Sequence, residues 1–155
     1  MFFVTKEVEK RFSRVYRGLS HVAVVTLQLA EASEASGVTI RCTALPTVAS
    51  QGYIEDVPAN GYDDWKQGAA LGAKYALAVA GEKARSVIVS RIQGLTTDTN
   101  PTVVRAAAAL GVWEAVGYQP TPEQIQQIER HVFGSWQRPF DALPDFRSAP
   151  DTPTA

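Results

Sequence analysis

Apolar and polar positions alternate along "HVAVVTLQLAEA", residues 21–32, with Val22, Val24 and Thr26 on one side and Ala23, Val25, Leu27 and Leu29 on the other. A period of two predicts a β-strand, and apolar residues on both sides predict a central one. "VTIRCTAL" alternates in the same way, Val38, Ile40 and Cys42 against Thr39, Arg41 and Thr43. Following the loop "EASEASG", it predicts a second strand joined to the first as an antiparallel hairpin. Pro46 ends it, and the prolines and glycines of residues 46–61 predict turns, with one short strand around 53–57. Another strand reads in "ARSVIVSRIQG". Residues 1–17 fit two patterns: Val4, Val8, Phe12 and Val15 suit a helical face, whereas their β-branched and aromatic content suits a strand.

The period changes at Asp63. Trp65, Ala69, Gly72, Ala76 and Val79 fall on one helical face, Asp63 and Asp64 stand in the first turn where the helix dipole favours negative charge, and Gly81 supplies the stop. A buried face of glycine and alanine predicts close packing against a sheet. A second helix is expected from about Pro101 to Val116, with Asn100 as N-cap, Pro101 at the first position and Gly117 as the stop. "TPEQIQQIERHVF" predicts a third, with Thr121 as cap, Gln124 completing a capping box, and Ile125, Ile128 and Val132 as its stripe. Strands first, then helix, strand, helix, helix, predict an α+β domain with one mainly antiparallel sheet and its helices on one face. That domain is expected over residues 1–136, with an extended or disordered tail over 137–155, where Pro, Asp, Ser and Thr dominate.

Composition narrows the chemistry. A chain of 155 residues, 45% apolar and 20% charged, suits a single core that needs neither metal nor disulfide, and the lone Cys42 reads as a packed thiol. No leader and no membrane span are read, so a cytoplasmic location is expected. The net charge of −1 gives no general attraction to phosphates, so nucleic-acid contact would need a local patch. No catalytic constellation, metal site or cofactor motif is visible.

The order "SHVAVVTLQL", "IEDVPANGYDDWKQGAALGAKYALAVAG", "SVIVSRIQG" and "DTNPTVVRAAAALGVWEAVG" resembles domain IV of the translational elongation factor G family over roughly residues 20–117. The resemblance implies the ribosomal protein S5 domain 2-like fold, with a left-handed βαβ crossover. It also implies that residues 94–100 occupy the tip position that enters the decoding region of the ribosome. Thr97 stands where the family commonly carries histidine, Asp98 aligns, and no P-loop is present, which separates this chain from a GTP-driven translocase.

The loop "GLTTDTNP" is accordingly a candidate binding surface, with Thr96, Thr97, Asp98, Thr99 and Asn100 offering hydroxyls, a carboxylate and an amide; the same residue types also turn a chain and cap a helix. Lys6, Lys10, Arg11, Arg14 and Arg17, interleaved with Phe12 and Tyr16, form the densest basic cluster, from which Arg11 and Arg14 join the candidate set. His21 and His131 lack a third ligand at suitable spacing, Asp63 and Asp64 read as dipole partners, and Trp65, Trp113 and Trp136 read as core or interface anchors. The expected function is a non-catalytic module contacting structured RNA or the ribosome. The alternative is a small-molecule-binding or enzymatic homo-oligomer on the same fold, with a pocket between subunits near the same loop, lined by Asp98 and His21.

Overall fold

The computed structural model describes residues 7–31, 37–44 and 54–137. Lys6, the turns expected ahead of Ile54 and the expected tail beyond residue 137 lie outside them. In chain order the elements are β1 (Val8–Tyr16), β2 (Leu19–Glu31), β3 (Gly37–Ile40), β4 (Glu55–Asp56), α1 (Asp63–Ala80), β5 (Arg85–Gly94), α2 (Pro101–Val116) and α3 (Pro122–Phe133). They make an α+β fold, a five-stranded, mostly antiparallel mixed sheet with three helices packed against it.

The N-terminal segment that fits two patterns is a strand. β1 pairs with β2 through a two-residue turn at Arg17 and Gly18, whose φ values of 52° and 80° define the mirror-image turn that matches strand twist. Phe12 is its buried side chain. β5 takes the other edge of β2, antiparallel from Ala23 to Glu31 with a register shift at Thr26 and Leu27.

The expected hairpin between β2 and β3 does not form. β3 instead runs parallel to β5, which stands between them. Both edges of β2 are taken by longer partners, since β3 has 4 residues and β5 has 10. The longer ladder also brings Val87, Val89 and Ile92 against Leu27, Leu29 and Val25 in the core, and burying each such side chain contributes about 1.5–3 kcal/mol. β4 pairs antiparallel with the far end of β5, close to the short strand expected there.

α1 contacts β3 and β5 of the sheet, but its closest approach, at its glycines, is to a helix. Gly68 and Gly72 lie against the backbone of Pro101 and Arg105 on α2, and a Cβ at either would overlap a carbonyl oxygen there. The Trp113 indole N–H donates to the Ala76 carbonyl at 3.0 Å, tying the two helices again. α2 is therefore enclosed by β1, β2, α1 and α3, and its side chains from Pro101 to Trp113 are all buried. The capping box of α3 forms as expected, Thr121 accepting from the Gln124 N–H while the Gln124 side chain accepts from the Thr121 N–H. Among the described residues no helix is long and apolar enough to cross a membrane.

Candidate functional site

β5 ends at Gly94, between Ala23 of β2 and Glu55 of β4, and the loop that follows folds back over the end of β2. Thr99 accepts from the Leu95 N–H at 2.8 Å and donates to the Val22 carbonyl, while the Val22 N–H donates to the Asp98 carbonyl at 3.0 Å. Gly94 makes room for this, because a Cβ there would strike the Thr99 side chain. Asn100 accepts from the Val103 N–H at 2.9 Å, capping α2, and its amide donates to Ser135 beyond α3. Thr99 and Asn100 are thus buried and committed to the fold.

Thr96 and Thr97 are exposed. Thr96 donates to the buried carboxylate of Glu55 at 2.7 Å, which also accepts from the Tyr62 hydroxyl at 2.6 Å. That bond to Glu55, then burial, raises the Tyr62 pKa. Thr97 donates to the half-buried Asp98 carboxylate at 3.0 Å. The surface the loop can offer a partner is Thr96, Thr97 and part of Asp98.

The basic cluster divides in the same way. Arg14 bonds Glu129 of α3 at 2.7 Å and lies 4.7 Å above the Phe12 ring, and Lys10 meets Glu114 of α2 at 3.1 Å. Arg11, at a strand position of opposite parity to Arg14, is exposed at the edge of the sheet. Arg17 is exposed at the hairpin turn, its guanidinium carbon 5.2 Å from the centre of the Tyr16 ring. Tyr16 in turn stacks on Phe133 at 4.5 Å with the rings 4° from parallel.

His21 lies beneath this arrangement, fully buried and 5.4 Å from Phe133, its ring nitrogens without a well-formed hydrogen bond among the described residues. Burial lowers its pKa, and the nearby backbone of Arg14 and Leu19 and the charge of Asp98 oppose that. Trp65 and Trp113 are core side chains, whereas Trp136 is 40% exposed. Cys42 is buried, which pushes its thiol pKa up. Among the described residues no group of three or more His, Cys, Asp or Glu could hold a metal ion.

A concavity beside the loop is lined by Tyr62, Asp63, Asp64, Trp65 and Thr96. The hairpin turn was legible only as part of a basic cluster. What marks it out is the conformation of Arg17, for which "YRGL" gives no local signal.

The sequence matches no protein-family model and no curated protein. Among solved structures it is similar to a protein of Thermus thermophilus, with 14% identity and a TM-score of 0.52; the match takes in 87% of this chain and 22% of that one. This chain therefore spans about a fifth of the length of the protein it matches. At that identity the likeness concerns the fold.

Proposed function

We propose that the chain is a non-catalytic binding module that holds structured RNA, such as a ribosome presents, at the end of its sheet where the 95–99 loop and the Arg17–Gly18 turn meet. One observation carries the reading: apolar and basic side chains that the core does not use collect at that end. Val15 is 70% exposed and Leu19 57%, with Tyr16 and Trp136 both 40% exposed, and exposed Arg17 follows Tyr16 in the chain. Aromatic and basic groups on a projecting turn suit unpaired bases and phosphates. The resemblance to domain IV of elongation factor G supports the reading, since the order of strands and helices agrees with it and the parallel pair β3 and β5 is joined through α1.

Fluorescence anisotropy with a labelled RNA stem-loop tests this across a salt series. Binding is expected to weaken as salt rises, with each phosphate contact adding roughly 0.7–0.9 to the log–log slope. Arg11→Ala should reduce that slope, and Thr97→Ala should weaken binding with the slope unchanged. RNA binding that is absent at low salt, or indifferent to both changes, defeats the proposal.

A second reading, a small-molecule-binding or enzymatic homo-oligomer, has one observation in its favour. A cleft of about 400 Å³ between β1, α2 and α3 is lined by Lys10, Arg14, Leu110, Trp113, Tyr118 and Ile125 among others, within the usual size of a ligand pocket. Native mass spectrometry separates the two readings: a closed oligomer retaining a small molecule favours this one, and a monomer carrying RNA favours the first.

A further inference from the structure

Arg17 occupies a backbone position that arginine rarely takes. Its φ of 52° is left-handed, and it is followed by Gly18 at 80°, in a turn whose first site favours Asn, Asp or Gly because an L side chain is strained there. The residue is exposed and makes no ion pair among the described residues, and an Asn-Gly pair would close the same hairpin without the strain. Strain retained at an exposed site points toward use.

The guanidinium has a particular place. Tyr16 stacks on Phe133 at 4.5 Å and 4°, which fills one face of the phenol ring. The Arg17 guanidinium carbon lies 5.2 Å from the centre of that same ring, within cation–π range. Arg17, Tyr16 and Phe133 are thus joined by successive contacts, and buried His21 lies 5.4 Å from Phe133. Leu19, which is exposed, pairs with Tyr16 across the hairpin and so shares its face.

We infer that Arg17 is the principal RNA contact of this end of the molecule, receiving an unpaired nucleobase on the outer face of its guanidinium and a flanking phosphate on its N–H groups. The inference rests on the RNA reading above and names the chemistry of that site: a planar, weakly hydrated cation both stacks and donates in a fork, which lysine cannot do. An unpaired base could lie against the exposed guanidinium, and a base held in a duplex could not reach it without unstacking.

The test uses the full chain, a stem-loop RNA with an unpaired adenine loop and a blunt duplex of the same stem. Arg17→Asn should lower stem-loop affinity about tenfold and reduce the salt slope by about one contact, while melting no lower than the parent because the turn strain is relieved. Arg17→Lys should keep the slope and still lose several-fold in affinity, since charge remains and stacking does not. The duplex should bind more weakly than the stem-loop, with little change on either substitution. If neither RNA binds the parent, the functional reading falls and this inference with it. If RNA binds but Arg17→Asn leaves affinity unchanged, Arg17→Lys binds as the parent does, or the duplex binds as tightly as the stem-loop, the stacking role falls and RNA binding stands. A marked drop in the Arg17→Asn melting temperature would show that the arginine serves the fold.

Discussion

The 95–100 loop and the Arg17–Gly18 turn lie at the same end of the sheet and treat their side chains in opposite ways. The loop is rich in hydroxyl and amide groups, yet Thr99 and Asn100 turn inward, and Thr96 donates to Glu55. The hairpin turn has few polar groups, and it leaves Val15, Tyr16, Arg17 and Leu19 on the surface, with Arg17 held in a left-handed conformation that Asn or Gly would take more readily. Residue type alone would rank the loop first as a working surface. Counting which groups remain uncommitted after folding ranks the hairpin first.

Stability measurements can break that contrast, because loop substitutions should cost the fold far more than hairpin ones. The largest effect is expected from Thr99→Val, which keeps the shape and deletes the hydroxyl, leaving the Leu95 N–H and Val22 carbonyl without that partner. Chemical denaturation should show a loss of about 2–3 kcal/mol. Asn100→Ala should cost about 1–2 kcal/mol by the same measurement, since it removes the α2 cap and the bond to Ser135. Losses below about 0.5 kcal/mol in both would mean the loop is not committed as described.

A smaller effect sharpens the comparison through pH. The folded-state pKa of His21 is depressed by burial, so the neutral form is favoured in the fold. Its contribution is fully present above the unfolded value near 6.5 and is lost as pH falls through the lower folded value. Melting temperature should therefore decline over that window in the parent and decline less in His21→Phe. Equal slopes in the two proteins would mean that His21 carries its proton without disturbing the Phe133 contact.

Much of the fold was legible from local chemistry. The caps at Asn100 and Thr121, the stops at Gly81 and Gly117, and the alternation of β2 are settled by residues near one another in the chain. Two features were not. The glycine face of α1 announced close packing and was expected to meet the sheet, but its glycines lie closest to α2, since Gly72 carries no mark of Arg105. The alternation in residues 38–43 predicted a strand but gave it the wrong neighbour, β2, because pairing depends on what β5 supplies from much further along the chain, as where Ile40 meets Val89. The candidate site was half legible: loop residues and basic cluster were found by type, whereas which of them stayed uncommitted depended on partners such as Glu55, Glu129 and Ser135.

The central place of β5 has a consequence for the order in which the chain assembles. β1 and β2 close through a two-residue turn and can meet early, when few conformations need be given up. β3 has no sheet neighbour until β5 has been synthesised and has entered between it and β2. Until then the inner edge of β2 stands open, with Val25, Leu27 and Leu29 uncovered. Folding should accordingly be slow for a chain of this size, governed by the arrival of one late strand whose partners have been waiting on both sides.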